Sequence, residues 1–306
     1  MSSVEVRSFR RGDRDQLTDL VNAHAAAVLP GASVSVNAVL SQLERDPGEF
    51  IVDPWVRERI TLVADQRGRL VAAAHLLRYG AEDAVGASYR DAGELRWFLC
   101  WPWAPYWPDA EAAGDLLLAA CVAQLGRWGV TRQYADGTLP VPGVYGVPEQ
   151  WPHVRAAYER AGFAHDGRVE LVYVADVEAL AARVRPAPAG LELRRSVGIN
   201  GTRLTGVRGG EPAGYVEVDT NLEQAARLRR LDGWADVGNL WLAEADDRHE
   251  VAAWLLGAAA DWLSLAGVRR VLDYATPDEG ERIALLEGAG FQLLTRTERG
   301  WERSAP

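Results

Sequence analysis

The alternation of apolar and polar positions predicts strands early in the chain, and helical spacing predicts two helices between them. Val4 to Phe9 alternates as a strand, Gly12-Asp13 begins a helix, and a second helix starts near Ser35. Ile60 to Ala64 and Leu70 to Leu77 predict strands joined by a polar, glycine-containing connection that is typical of a hairpin. The chain therefore opens with a strand, two helices and an antiparallel pair.

The stretch from Glu94 to Gly129 is the unit around which the other elements are arranged. An apolar strand runs from Glu94 to Trp101, and a helix opens at Pro108-Asp109 and ends at Gly129. A helix that opens directly after a central strand presents free backbone N–H groups to the mouth of a cleft, where an anion or a phosphate can bind. The alternative is an ordinary strand–helix connection without a ligand.

The later pattern predicts one more strand–helix–strand unit and then a domain boundary. The predicted elements are a strand at Arg132 to Leu139, a helix at Gln150 to Ala161, a strand at Arg168 to Val174 and a helix at Asp176 to Val184. The Pro-rich stretch after this helix is typical of a linker. We therefore predict an α/β protein with a mixed sheet and two domains, residues 1–182 and 183–306.

An internal repeat supports the two domains. Val4-Glu5-Val6-Arg7 matches Leu191-Glu192-Leu193-Arg194, Arg67-Gly68 matches Arg208-Gly209, Gly129-Val130 matches Gly267-Val268, and Ala161-Gly162-Phe163 matches Ala289-Gly290-Phe291. The matches are collinear while the separation between partners only shrinks, which indicates one fold used twice with deletions in the second copy. The largest deletion falls where the first copy has its two early helices.

Composition and charge narrow the function classes. With 306 residues, 48% of them hydrophobic and 25% charged, the chain is typical of a soluble globular protein. The net charge of -10 argues against a nucleic-acid partner. The first residues lack the features of a signal peptide, and no apolar run reaches the about 18 residues of a membrane span, so we expect a cytoplasmic protein without a membrane partner. Cys100 and Cys121 lie in apolar segments, so neither a disulfide framework nor a metal site is expected.

The order of elements, together with the sequence Ala157-Tyr158-x-x-x-Gly162-Phe163, resembles the GNAT superfamily of N-acetyltransferases. The resemblance covers both halves and implies two tandem GNAT-like acyl-CoA N-acyltransferase folds, the second truncated, packed so that one chain imitates the dimer of single-domain relatives. It implies acetyl-CoA as co-substrate, a small-molecule amine as acceptor and direct transfer. A monomer with an internal pseudo-dimer, or a weak homodimer, would follow.

In this family, the loop after the fourth strand reads Arg/Gln-x-x-Gly-x-Gly/Ala and wraps the pyrophosphate of acetyl-CoA with backbone N–H groups. The pattern falls on Asp109 to Gly114 in the first half and on Asp247 to Ala252 in the second, and both copies depart from it. The resemblance implies cofactor contacts at Leu99, Cys100, Trp101, Ala112, Ala113, Gly114 and Asp115. Nearby carboxylates would repel pyrophosphate unless they point to solvent. The second loop offers Arg248 and His249, which are better phosphate partners.

Two residues of the first half are catalytic candidates by the same resemblance. Tyr158 matches the acid that protonates the departing CoA thiolate, whereas the second half has Leu286 there, and leucine cannot donate a proton. Glu94 stands where relatives often keep the base that deprotonates the amine. The alternatives are a packed aromatic for Tyr158 and a polar residue at a strand start for Glu94. We therefore predict the active site in the first half.

Other features leave alternatives open. The turn from Trp101 to Trp107 carries four aromatics that would line either a ligand cleft or a domain interface. Cys100 has no apparent histidine partner and is expected to be a packed small side chain. His24, His75 and His153 are expected to be isolated structural or solvated histidines. The rival functions are a degenerate tandem fold that binds CoA or another small ligand as a sensor, and a scaffold without a ligand.

Overall fold

The computed structural model describes residues 4–44, 52–101, 109–141, 143–182, 186–219 and 233–304. The chain divides into two compact units. Unit 1 comprises Met1–Val169 together with Thr297–Pro306, and unit 2 comprises Glu170–Arg296. The strands form two mixed sheets, each containing one parallel pair. The predicted α/β class with a mixed sheet is therefore confirmed.

Unit 1 contains the elements predicted up to the helix that carries Tyr158 in the predicted order, together with two short strands that were not predicted. They are β1 (Glu5–Ser8), α1 (Arg14–Val28), α2 (Val36–Glu44), β2 (Val56–Gln66), β3 (Arg69–Tyr79), β4 (Ala92–Cys100), α3 (Ala110–Trp128), β5 (Arg132–Ala135), β6 (Val147–Pro148), α4 (Pro152–Arg160) and β7 (Ala164–His165). The two short strands that were not predicted are β6 and β7. Strand β5 ends before the predicted Leu139. The chain loses regular strand geometry after Ala135 and packs so tightly that a Cβ on Gly137 would lie 2.0 Å from the carbonyl oxygen of Gly146.

Unit 2 repeats this order without the early helices. Its elements are β8 (Val169–Asp176), α5 (Val177–Ala182), β9 (Leu191–Gly198), β10 (Gly201–Arg208), β11 (Glu211–Asp219), β12 (Trp234–Leu242), α6 (Arg248–Leu265), β13 (Arg270–Ala275), α7 (Gly280–Ala289) and β14 (Gln292–Glu298), after which β15 (Trp301–Ser304) returns to unit 1. Only Ile199-Asn200 joins β9 to β10. This short connection stands where unit 1 has α1 and α2, as the repeat predicts.

The two sheets have matching strand orders, with one strand exchanged in each. The first is β1-β2-β3-β4-β5-β15-β7, and the second is β9-β10-β11-β12-β13-β8-β14 with β6 at its end. Trp301 of β15 faces Ala135 of β5, and Tyr173 of β8 faces Asp273 of β13. Strand β8 and helix α5 therefore belong to unit 2, although the sequence boundary placed them in residues 1–182. Local apolar pattern identifies a strand but does not select its hydrogen-bonding partner.

The parallel central strands part in both units. Strands β4 and β5 pair from Ala92↔Arg132 to Leu95↔Ala135, and a bulge at Arg96 follows in β4. In unit 2, β12 and β13 pair only as far as Asp236↔Leu272, and the bulge lies at Gly238. In unit 1 one further bond to β4 follows this pairing, from the N–H of Thr138 to the carbonyl of Arg96 at 3.2 Å. The regular pairing thus ends before β4 and β12 do, and splayed central strands stay a prediction. We call the gap between β4 and β5 the split of unit 1.

Large aromatic side chains form the core around this split. Trp97, Trp151, Trp301, Tyr158 and Phe98 are among the largest fully buried side chains. Helix α3 covers this core on the β4 side, and it ends at a left-handed glycine, Gly129 (φ 66°). Among the described helices, none is both long and apolar enough to cross a membrane.

Candidate functional site

The free edge of β4 at the split is covered by side chains of unit 1. The Tyr158 hydroxyl lies against the backbone of Phe98, and the His24 ring lies against the backbone of Cys100. Trp101 turns the other way, since its N–H donates to the carbonyl of Val71 at 3.3 Å. His24 therefore covers the backbone of Cys100, one of the three predicted contacts Leu99, Cys100 and Trp101.

Tyr158 lies at the point where β5 leaves β4. Its side chain is 0% exposed, and its hydroxyl donates to the carbonyl of Asp136 at 2.6 Å. The N–H of Asp136 in turn donates to Leu95 of β4 at 2.9 Å. Burial, reinforced by the Asp136 charge, holds the pKa of Tyr158 well above its usual value, so the phenol keeps its proton. The structure thus places the predicted acid beside the split, and its role in catalysis stays a prediction.

Glu94 belongs to a buried network in unit 1. Its carboxylate is 4% exposed, accepts a hydrogen bond from Arg96 Nη1 at 3.2 Å and accepts another from the Tyr79 hydroxyl. Arg96 is buried as well, so the pair is a desolvated ion pair that stabilises the sheet only while both members remain. A proton from an amine would have to reach Glu94 past these two donors. The role of Glu94 as a base stays a prediction.

The N-terminus of α3 carries the predicted pyrophosphate contacts Ala112, Ala113, Gly114 and Asp115. Helix α3 begins at Ala110, and the N–H of Ala113 already donates to the carbonyl of Asp109 at 2.9 Å. Of the four predicted contacts, Ala112 is therefore the one whose N–H lies in the first turn without an acceptor inside the helix. Gly114 has a packing explanation, because a Cβ there would lie 3.1 Å from Cζ of Phe98. Its place in the family pattern therefore coincides with the close approach of α3 to β4.

A cation missed in the sequence offsets the carboxylates at this helix end. Arg160, at the end of α4, pairs with Asp115 at 2.8 Å and with Glu111 at 3.2 Å. The expected repulsion of a pyrophosphate is thereby reduced, and a guanidinium lies beside the amides that would bind it. The sequence feature that could have identified Arg160 is its position two residues after Tyr158, in the last turn of a predicted helix.

The histidines expected to be isolated are instead paired. His24 Nδ1 contacts the carbonyl of Leu20 at 2.8 Å, and His24 Nε2 contacts His153 Nε2 at 3.1 Å. A carbonyl accepts only from N–H, so His24 carries its proton on Nδ1 and accepts from His153 through Nε2. Burial lowers the pKa of His24 to about 3 and that of His153 to about 4. Both rings are therefore neutral at physiological pH.

His75 is also engaged. Its Nδ1 contacts Thr61 Oγ1 at 2.9 Å, and its ring stacks on Trp97. The Trp97 indole donates to Gln42 Oε1 at 3.0 Å, and Gln42 Nε2 donates to the carbonyl of Thr138 at 3.3 Å. Gln42, on α2, thus bridges the chain on both sides of the split. Nothing in the sequence pattern singled out this glutamine.

Trp301 contributes a second group beside Tyr158. The indole is 1% exposed, and its ring centroid lies 5.8 Å from that of Tyr158. Its Nε1 is buried and has no hydrogen-bond partner in the described part of the chain. An unpaired buried donor is uncommon in native proteins.

In unit 2 the corresponding groups differ. Leu286 is fully buried in α7, and Arg248 at the start of α6 pairs with Glu281 at 2.7 Å. The Tyr274 hydroxyl donates to Asp236 at 2.6 Å. Across the described residues, no group of three or more histidine, cysteine or acidic side chains is placed to hold a metal.

Several features of unit 1 fit an acyl-CoA. The first-turn amides of α3 and Arg160 offer donors for phosphate, and Trp301 offers an N–H without an acceptor in the described part of the chain. The backbone of β4 at Cys100 is covered by the His24 ring. The aromatic turn expected to line a cleft lies outside the described residues beyond Trp101. The donors present suit an anion at one end and a carbonyl oxygen at the other.

No protein-family model and no curated protein matches the chain. The chain is similar to a solved tandem GNAT protein from the clavulanic acid biosynthesis pathway, with a TM-score of 0.69 and 18% identity over 99% of both chains. It is also similar to a GCN5-related N-acetyltransferase from Sphaerobacter thermophilus, with a TM-score of 0.62 and 14% identity over 98% of this chain and 95% of that chain.

A third solved structure is similar over a smaller share of its own chain. It is a GCN5-related glucosamine N-acetyltransferase region of a fungal multi-domain GH3 beta-N-acetylglucosaminidase, with a TM-score of 0.57 and 11% identity over 99% of this chain and 38% of that one. At these identities the likeness is one of fold. The chain therefore has two tandem GNAT folds, as the sequence resemblance implied.

Proposed function

We propose that this protein is an acetyl-CoA-dependent N-acetyltransferase that moves an acetyl group directly to the amine of a small molecule, with its active site in unit 1. The observation that carries the proposal is the Tyr158 hydroxyl, which keeps its proton and lies where β5 leaves β4. The tandem GNAT fold supports the reaction class only as an analogy, because one fold serves several functions.

Residues of unit 1 would hold the co-substrate by its two ends. The first-turn amides of α3 and the guanidinium of Arg160 would bind the phosphates, because a helix N-terminus and an arginine both favour negative charge. The backbone of β4 at Cys100 would bind the pantetheine arm once His24 gives way. No metal is required by this arrangement.

The acid–base groups follow from the same geometry. When bound, acetyl-CoA would supply an activated thioester for attack by the amine nitrogen. Tyr158 can give its proton to the departing sulfur, because the phenol is protonated at neutral pH. Glu94 is the candidate acceptor for the proton of the amine, reached through water because Arg96 and Tyr79 engage its carboxylate.

A degenerate protein that binds CoA or another small ligand without turnover is the second candidate. It is favoured by the Tyr158 hydroxyl, which is fully buried and already donates to Asp136. Release of free thiol from acetyl-CoA in the presence of candidate amines separates the two. Saturable binding without thiol release across an amine panel would favour the sensor.

The test of the cofactor site compares two alanines of α3. Ala112 lies exposed in the first turn, and Ala119 lies exposed further along the same helix. Ala112→Glu adds a carboxylate beside the amides that would bind the diphosphate, so we expect the calorimetric Kd for acetyl-CoA to rise on the order of tenfold. Ala119→Glu adds the same charge away from the amides and should leave the Kd unchanged.

Two outcomes would contradict the proposal. Equal affinity in Ala112→Glu and the unchanged protein would remove the α3 N-terminus from the site. No binding of millimolar acetyl-CoA to the unchanged protein would remove unit 1 as an acetyltransferase and would shift attention to Arg248 and His249. Gly114 is unsuitable for this test, because any side chain there would disturb its contact with Phe98.

A further inference from the structure

Trp301 has a polar group that the fold does not use. Four other tryptophans of unit 1, Trp97, Trp101, Trp128 and Trp151, each donate their indole N–H to an oxygen within 3.1 Å. The indole of Trp301 is 1% exposed, and its Nε1 has no acceptor in the described part of the chain. Ring packing alone would be served by phenylalanine, so the N–H requires a separate explanation.

The surroundings of the indole place it beside the split. Trp301 faces Ala135 in the sheet register, and Asp136, the next residue, accepts the hydrogen bond from Tyr158. The Trp301 and Tyr158 rings are in edge contact at 5.8 Å. The hydroxyl of Tyr158 already uses its proton on Asp136, so the N–H of Trp301 is a second donor in the same small region.

The proposed reaction supplies an acceptor for this donor. A thioester carbonyl oxygen accepts a hydrogen bond, and it becomes more negative as the amine nitrogen attacks the carbonyl carbon. A donor that is buried and already oriented strengthens this interaction without reorganisation. The C-terminal strand β15, inserted between β5 and β7, brings this donor to the site.

We propose that the Nε1–H of Trp301 donates a hydrogen bond to the acyl carbonyl oxygen of bound acetyl-CoA. This contact rests on the proposed function of unit 1 and adds a positioning residue from the far end of the chain. It distinguishes acetyl-CoA from CoA, because CoA has no acyl carbonyl.

The test compares Trp301→Phe with Trp262→Phe. Trp262 of unit 2 also has a buried Nε1 without a hydrogen-bond partner among the described residues, so the same substitution there is a matched control. We expect Trp301→Phe to raise the calorimetric Kd for acetyl-CoA by roughly three- to tenfold, the effect of one hydrogen bond, and to leave the Kd for CoA unchanged. Trp262→Phe should change neither Kd. An unchanged Kd for acetyl-CoA, or equal losses for both ligands, in Trp301→Phe would overturn the contact.

A second measurement on the unsubstituted protein covers the case in which Trp301→Phe does not fold. In protein carrying 15N-labelled tryptophan, the indole N–H signal that single tryptophan substitutions assign to Trp301 should move on addition of acetyl-CoA and not on addition of CoA. Binding of acetyl-CoA with this signal unmoved would overturn only the contact. Absence of acetyl-CoA binding would overturn the proposed function and the contact together.

Discussion

A carboxylate lies close to the end of the parallel strand pairing in each unit, and the two carboxylates have different partners. Glu94 in β4 is neutralised by Arg96, the bulge residue that follows it. Asp236 holds the same place in β12, where Gly238 is the bulge residue, and its carboxylate accepts from Tyr274. Burial raises the pKa of Asp236 to about 6. The two halves therefore carry different charged groups at the same place in the backbone.

Tyr158→Phe tests the acid in unit 1. The ring packing is retained while the proton is lost, so we expect kcat to fall roughly a hundredfold and the Kd for acetyl-CoA to stay within about twofold. The comparison is Tyr134→Phe, which removes a phenol that donates to the carbonyl of Ser88 at 2.7 Å. That variant should keep its kcat. A Tyr158→Phe protein with normal kcat would exclude Tyr158 from the mechanism.

Helices α1 and α4 are joined by the neutral pair His24 and His153. Trp151, the residue that precedes α4, donates to the carbonyl of His24 at 3.1 Å and adds to the same junction. Protonation of either ring would place an uncompensated charge in this buried contact. The folded pKa values of about 3 and about 4 lie below the usual value of 6.5, so the unfolded state binds these protons first.

Acid should therefore loosen the junction of α1 with α4. The histidine contribution to stability is complete above pH 6.5 and is lost as the pH falls toward about 4 for His153 and about 3 for His24. For His24 alone, the loss between pH 7 and pH 5 is roughly 2 kcal/mol. Urea unfolding at both pH values should show a smaller change in midpoint for His24→Asn than for the unchanged protein. Equal changes would mean that His24 titrates normally in the folded state.

Buried acids in unit 2 act in the opposite direction. Burial raises the pKa values of Asp236 and Asp273 to about 6, so the folded state binds these protons more tightly than the unfolded chain. The two aspartates contribute fully to stability at a pH below 3.8, their ordinary pKa. This contribution is lost as the pH rises through about 6, their pKa in the folded protein. The aspartate effect is the same in His24→Asn and in the unchanged protein, because the substitution leaves unit 2 unchanged. It therefore cancels when the two changes in urea midpoint are compared.

Each sheet contains one inner strand from the other predicted domain, residues 1–182 or 183–306. Strand β8 lies between β13 and β14, and β15 lies between β5 and β7. With these positions filled from within the chain, a second copy is not needed to complete either sheet. We propose a monomer, with a weak homodimer as the alternative.

Removal of residues 299–306 should expose the β5 and β7 positions that β15 covers. The loss of buried Trp301 and its strand is expected to lower the melting temperature by about 10 °C, and the uncovered edges should promote association. Light scattering should give 33.4 kDa for the full chain and a larger mass for the truncated one. Truncation after Ser304 is the control. A stable, monomeric protein lacking 299–306 would show that β15 is dispensable.

Much of the fold follows from the sequence alone. Apolar periodicity located α3 between Asp109 and Gly129, and the collinear repeat located the second copy and its missing early helices. These features depend on neighbouring residues, or on the same pattern occurring twice. The resemblance also brought Tyr158 and Glu94 into view, and both lie in the region where β4 and β5 part.

Only the tertiary structure decided which distant groups meet. Contacts between residues far apart in sequence include the exchange of β8 and β15, the His24–His153 pair, the pair of Arg160 with Asp115 and the contact of Trp301 with Tyr158. Strand periodicity is the same whichever sheet a strand joins, so the pattern carries no information about the partner. The local sequence therefore determined the elements and their repetition, while long-range hydrogen bonding and burial determined the boundary between the units and the composition of the site.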